Sequence, residues 1–379
     1  MILNTNIKSG ENSFLKIQDY LKEYGYENPC VLVDENLYNN SNYVRKCIKN
    51  IFDEKRLIFY NHPFEPSYQM LDNMMDKLMT NQNIDNIDII VGIGGGSAMD
   101  TAKGLAILSK NSGPSINYKG FPKQLNKPVP VIAVPSTTGT GSEVVYNASF
   151  IDEESKVKMG INYKYNYPIL AILDPLVPLS APMSVLASSG CDALVHSLES
   201  FMSIQTNEQV RFFAKRAYDL IMGNMLLILD GKGDLKNWEN MQWAAVYAMF
   251  ALSNSTSGPT GALSYYFGTN FKVNHGVAGG AFIGNICRYN HKNGYYDLSE
   301  LYRGNGVESK SKEEKSALVV EEIEKLLRLA NMPENLSSFG VNENNLEGFN
   351  RFAVQASAAM DYNPIKIDPN KVAELFITI

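Results

Sequence analysis

The sequence predicts an α/β domain built on a mostly parallel sheet over residues 1–178, followed by an all-helical domain over residues 179–379. Three observations carry that expectation. Short, nearly continuous apolar runs alternate with helical patterns through the first half, as strands buried on both faces do. One of those runs ends in three consecutive glycines and opens directly into a helical pattern. Beyond about Pro182 strand patterns almost vanish, and one helical pattern follows another.

Taken in order, Phe14 to Tyr24 reads as a helix and Pro29 to Asp34 (PCVLVD) as a strand. Asp34 closes that strand, where an acid either caps the next turn or accepts hydrogen bonds from a ribose. Asn42 to Asp53 reads as a helix, Arg56 to Tyr60 as a strand and Ser67 to Thr80 as a helix. The stretch Asn86 to Lys103 (NIDIIVGIGGGSAMDTAK) is the centre of the pattern. Its apolar run reads as a strand buried on both faces, and Gly94, Gly95, Gly96 and Ser97 form the turn into a helix starting near Ala98. Ala98, Ala102, Leu105, Ala106 and Ser109 fall on one face, small enough to let the helix lie close to the sheet. Glycines at such a turn let the backbone approach a ligand, and the helix's free N–H groups suit phosphate oxygens, so a pyrophosphate is the natural guest. The contiguous glycines are not the GxGxxG fingerprint. Pro128 to Pro135 is a further buried strand running into the hydroxyl- and glycine-rich STTGTGSEV, and Ile169 to Asp174 supplies another. In the second half, Val185–Ser203, Asn207–Leu229, Trp238–Ser253, His275–Tyr289, Lys312–Ala330, Leu346–Ala359 and Lys371 to the end read as helices.

The totals narrow the function classes. With 379 residues, 45% hydrophobic and 20% charged, the chain has the composition of a soluble two-domain protein. A net charge of −6 argues against nucleic acid and anionic membrane as partners. Four scattered cysteines without a CxxC pair suit reduced thiols in the cytoplasm, and no leader pattern or bilayer-spanning run is expected. Only four histidines occur, so each can be weighed. CDALVHSLES puts Asp192 and His196 four residues apart on one helical face, where they either hydrogen-bond or share a divalent cation. His275, in NHGVAGG, stands where a helix begins after a loop.

These pieces, in this order, resemble the iron-containing (group III) alcohol dehydrogenases over essentially the whole chain. The matching stretches are GGGSAMD (94–100), PSTTGTGSEV (135–144), the lysine of SKVKMGI, ILDP, GCDALVHSLE (190–199) and NHGVAGG (274–280). The resemblance implies a dinucleotide-binding α/β domain and a helical metal- and substrate-binding domain. It implies Gly94, Gly95, Gly96 and Ser97 at the pyrophosphate site, with Asp100, Thr137, Thr138 and Lys158 also on the cofactor. Asp34 matches a position whose acid favours NAD over NADP. Asp192, His196 and His275 match three metal ligands. The family's fourth ligand, a histidine fourteen residues before His275, is replaced here by Gly261. Restoring that histidine is expected to tighten metal binding, and with three ligands zinc is expected rather than iron. Tyr265, four residues on, is a candidate to hydrogen-bond the substrate or relay a proton.

The resulting expectation is a cytoplasmic, homodimeric, NAD-dependent oxidoreductase that interconverts an alcohol and its aldehyde or ketone. The stretches SINYKGF and SGPTGALSYYFG resemble sugar-modifying members such as those oxidising 3-deoxy-manno-octulosonate, so a sugar-type polyol or sugar acid is the expected substrate. Two alternatives stand beside it: a lyase or cyclase related to dehydroquinate synthase, and a non-catalytic NAD-binding protein with a degenerate metal site.

Overall fold

Alternation within each apolar run decides the sheet. In Pro29–Asp34 (β2), Cys30 and Leu32 enter one hydrophobic cluster while Val31 and Val33 enter another on the opposite face. Ile89–Gly94 (β4) divides the same way, with Ile90 on one side and Ile89, Val91 and Ile93 on the other. A strand covered on both sides has no polar face, hence the unbroken apolar sequence. These coordinates are a computed structural model that describes residues 4–62, 65–81, 86–305, 308–341 and 343–377.

One compact unit comprises Met1–Pro182 and Asp234–Gln242. Its sheet also contains Asn6–Ser9 (β1), Leu57–Tyr60 (β3), Val131–Pro135 (β5) and, after four two-residue strands, Leu170–Leu173 (β10). All neighbours are parallel, in the order β1-β10-β5-β4-β2-β3. The short strands Asn147–Ala148 (β6), Ile151–Asp152 (β7), Val157–Lys158 (β8) and Ile161–Asn162 (β9) pair antiparallel as β6 with β9 and β7 with β8. Helices Ile17–Tyr24 (α1), Glu35–Asn40 (α2), Asn42–Ile51 (α3), Tyr68–Asn81 (α4) and Gly96–Leu108 (α5) make the crossovers. β1 was not legible in the sequence, because NIKS is a polar edge strand without an apolar run.

Asp174 ties the unit together. Its buried carboxylate accepts from the Phe14 N–H at 3.0 Å, the Tyr43 hydroxyl at 2.6 Å and the Leu176 N–H at 3.0 Å. One side chain at the end of β10 thus fixes the turn before α1, helix α3 and its own loop. Burial and the adjacent carboxylate push the Tyr43 hydroxyl pKa up.

The other unit comprises Met183–Gly233 and Trp243–Ile379 and is helical. Its elements are Met183–Met202 (α6), Glu208–Leu229 (α7), most of Leu235–Leu252 (α8), Pro259–Phe271 (α9), His275–Lys292 (α10), Lys312–Leu329 (α11), Glu343–Gln355 (α12), Ser357–Met360 (α13) and Glu374–Ile377 (α14). The last expected helix shortens to α14, and residues 378–379 lie outside the described residues. Helix α9 is not among the helices expected from the sequence, and Gly258, Pro259 and Gly261 stand at its start. Proline is in fact at home in a helix's first turn, where its missing N–H has no intrahelical role. Among the described residues no helix is long and apolar enough to cross a membrane.

Asp174→Ala leaves three donors without their carboxylate, so it should lower unfolding free energy by about 3 kcal/mol in urea titration, and Tyr43→Phe by about 1 kcal/mol. Equal, small losses in both would show that the carboxylate is not the tie.

Candidate functional site

Four strand ends line up along the carboxyl edge of the sheet. Asp34 is level with Tyr60, Val33 with Ile93, and Gly94 with Pro135. Between β2 and β4 the chain changes its direction of winding, because β3 lies outside β2 while β5 and β10 lie beyond β4. The edge beside such a reversal is where open α/β sheets take ligands. Gly94 and Gly96 cannot carry side chains here: a Cβ on Gly94 would stand 2.7 Å from Ala98 Cβ and 3.0 Å from Asp34 Cβ. One on Gly96 would stand 2.6 Å from Thr140 Cγ2. Helix α5 begins at Gly96 with no side-chain cap, and its first turn includes Ser97.

The structure gathers most of the expected cofactor residues around this turn. Thr137 lies against Gly95, 3.2 Å from where its Cβ would be, and Thr138 is buried beside it. Asp34 accepts from the Leu37 N–H at 2.9 Å and so caps α2, as well as standing next to Gly94. Burial raises its pKa, and the backbone N–H bonds partly oppose that. Lys158, on β8, forms an ion pair with Glu65 at 2.8 Å. Asp100 faces protein on both oxygens: the Ser142 hydroxyl and Lys103 ammonium on one, the Ser149 N–H at 3.0 Å on the other. It thus holds a loop. Tyr60, which the sequence did not single out, hydrogen-bonds Ser97, and its pKa is raised chiefly by burial, with smaller contributions from Asp34, Asp100 and Glu65.

The second group lies in the helical unit. Asp192 and His196 stack one turn apart on α6, with Asp192 Oδ1 3.6 Å from His196 Nε2. His275 is the first residue of α10, whose preceding Asn274 accepts from the Gly276 N–H at 3.0 Å. A Cβ on Gly276 would overlap the Ser188 carbonyl and stand 3.1 Å from Asp192 Cβ. Only glycine lets α10 come so close to α6, and that approach puts His275 Nε2 4.0 Å from Asp192 Oδ1. One donor atom from each of the three residues lies within 4.8 Å of the others. Donors about 2.1 Å from one ion stand roughly 3 to 4 Å apart, so the set fits a divalent cation. The charge agrees. Asp192 is 5% exposed, and among the described residues no lysine or arginine pairs with it. His62 and His291 do not join the group among the described residues, His291 bonding Ser316 at 3.0 Å instead. Tyr265, on α9, stacks on the His275 ring at 4.9 Å and 21°.

Position 261 is not empty space. Glu199, three residues beyond His196 on α6, is fully buried and accepts from the N–H groups of Gly258, Thr260 and Gly261 and from the Ser257 hydroxyl, at 2.5 to 3.3 Å. A Cβ on Gly261 would stand 3.1 Å from Glu199 Oε2 and would overlap Ser257 Oγ. Glu199 went unremarked in the sequence, although its i+7 spacing from Asp192 puts both acids on one stripe.

Residues 4–175 match the family described as iron-containing alcohol dehydrogenase, and residues 186–379 match the C-terminal part of the Fe-containing alcohol dehydrogenase family. The chain is 30% identical to the 1,3-propanediol dehydrogenase of Citrobacter freundii over 295 residues, 77% of this chain and 76% of that one. The crystal structure of a 1,3-propanediol oxidoreductase is similar with a TM-score of 0.87 and 25% identity, covering 98% of this chain and 97% of the other. Sulfoacetaldehyde reductase from Bifidobacterium kashiwanohense, solved with NAD+, shares the fold at a TM-score of 0.85 and 22% identity, over 99% and 96%.

Because Ser257 and Glu199 fill the space, Gly261→His should not tighten metal binding as the sequence alone suggests. It should lower stability by about 2 kcal/mol in urea titration and leave affinity unraised in competition with a chelator. Tighter binding at unchanged stability would show that the two side chains yield freely.

Proposed function

The chain belongs to the iron-containing alcohol dehydrogenase family, and from that premise we propose that it is an NAD-dependent, metal-assisted oxidoreductase for a small alcohol and its aldehyde or ketone. The observation that carries this reading is the buried Asp192, His196 and His275 group, uncompensated by any described lysine or arginine. Residues 1–178 bind the dinucleotide in this proposal, and residues 179–379 hold metal and substrate. Bound there, a divalent cation supplies Lewis acidity toward the substrate oxygen and the dinucleotide accepts or donates the hydride.

The protein's own residues do the remaining work. Gly96 and Ser97 offer first-turn N–H groups of α5 to the pyrophosphate, and Gly94 and Gly95 let the backbone approach it. Thr137 and Thr138 flank it, Lys158 supplies a positive charge, and Asp34 repels a 2′-phosphate. Asp100 acts on this site from behind, through the loop it holds. Asp192, His196 and His275 hold the metal. Tyr265 fixes the His275 ring by stacking and offers its hydroxyl to the substrate.

Two finer expectations change. The family is described as iron-containing, so the preference for zinc has no support there. Two imidazoles and one carboxylate with open positions also suit ferrous iron, and iron is the metal proposed. No relative reported above supports the sugar-type substrate. Likeness to a 1,3-propanediol dehydrogenase argues instead for a short primary alcohol. A homodimer and a cytoplasmic location are retained as proposals.

The test is NADH formation by the iron-loaded protein with 1,3-propanediol, other short alcohols, and a polyol or sugar acid. Turnover on a short alcohol is expected, and none on any alcohol would defeat the reading. His196→Ala should lose most bound metal and turnover while NAD affinity stays within about twofold. Asp34→Ala should bring NADP+ affinity at least about tenfold closer to that for NAD+ in calorimetric titration. An unchanged preference would remove Asp34 from cofactor selection.

A further inference from the structure

Lys103 lies on α5, two turns into the helix, and its side chain is completely buried. Lysine is almost never found fully inside a protein unless its charge is answered. Here it is answered by oxygen on every side. The ammonium donates to the Ser142 carbonyl at 3.1 Å, the Ser142 hydroxyl at 2.6 Å, the Val145 carbonyl at 3.3 Å and the Asn147 carbonyl. It also forms an ion pair with Asp100, one helical turn back, at 3.0 Å. Asp100 in turn accepts from the Ser142 hydroxyl and the Ser149 N–H. Three backbone carbonyls in a row of six residues that converge on one cation resemble a cation-binding loop in which the cation is part of the chain.

The segment gathered by Lys103 is the continuation of the hydroxyl-rich loop that packs on the glycine turn. Ser142 N donates to Thr140 Oγ1 at 3.3 Å, and Thr140 is the residue whose side chain bars a Cβ on Gly96. Thr137 sits in the same way on Gly95. Lys103 and the glycine turn share one helix, so the ammonium and the first-turn N–H groups are rigidly related through α5. The loop is therefore pinned to α5 at both ends: by threonine packing over the glycines and by the buried ammonium behind them.

We infer that Lys103 is a positioning residue for dinucleotide binding, acting as a built-in cation that holds residues 137–149 over the Gly94–Ser97 turn. It touches no part of the ligand. This rests on the dinucleotide reading of that turn. Charge is the operative property, because a neutral side chain of equal length leaves three carbonyls, a carboxylate and a hydroxyl without their common donor.

Calorimetric titration of the iron-loaded protein with NAD+ tests it, alongside Lys103→Met, with amide hydrogen exchange followed on residues 137–149. Lys103→Met should bind NAD+ at least about tenfold more weakly, with faster exchange in that segment and iron affinity within about twofold of wild type. A purely structural lysine would lower the melting temperature but leave the NAD+ affinity of the folded protein unchanged. Where Lys103→Met does not fold, Ser142→Ala serves. It removes only the hydroxyl shared by Lys103 and Asp100, and should weaken NAD+ about threefold. NAD+ affinity within twofold of wild type, in folded Lys103→Met or otherwise in Ser142→Ala, overturns the role of Lys103. Failure of the wild-type protein to bind NAD+ overturns the dinucleotide reading itself.

Discussion

A helix whose alanines lie on strand glycines is the constraint on which the first unit depends. A Cβ on Gly92 would meet Ala102 Cβ at 2.8 Å, and one on Gly94 would meet Ala98 Cβ at 2.7 Å. Helix α5 thus rests directly on the backbone of β4, and its N-terminus opens at the sheet's carboxyl edge between Asp34 and the β5 loop. Contact this close gains dispersion over the whole interface and leaves the first-turn N–H groups facing outward. The helical unit repeats the device at Gly276, where the lack of a side chain brings His275 to Asp192.

Much of this was legible in sequence because close packing demands small residues at fixed spacing. The buried strands, the glycine turn and the Ala98/Ala102 face stand in NIDIIVGIGGGSAMDTAK as they do in space. The Asp192–His196 pair followed from helical geometry alone, whereas His275 needed the family resemblance, because no local rule links residues on different helices. What escaped was whatever depends on partners distant in the chain. Asp100 was taken for a ligand-facing acid, since nothing local reveals that Ser142 and Ser149 claim its oxygens. Lys103 carries no local signal of its role, yet its side chain is completely buried. Gly261 read as a vacancy for the same reason: the side chains that fill it come from Ser257 and from Glu199 on another helix.

The two acids of α6 show how surroundings decide chemistry. Glu199 and Asp192 are both buried on one stripe of one helix. Glu199 receives three backbone N–H groups at the start of α9 and a hydroxyl, so its charge is answered from within even though burial raises its pKa. Among the described residues Asp192 has two imidazoles beside it and no lysine or arginine pairing with it, and an imidazole that ligates a metal offers a lone pair. A carboxylate so placed calls for a cation, and the nitrogen atoms around it are donors of the kind a transition metal takes. Glu199 does the mechanical part, anchoring the helix from which Tyr265 covers His275.

The central claim is that Asp192, His196 and His275 together hold the metal, and iron-edge X-ray absorption of the ferrous protein tests it most directly. The account predicts a shell of nitrogen and oxygen only, with multiple scattering from two imidazoles. Sulfur in that shell, or scattering from fewer or more than two imidazoles, would contradict it.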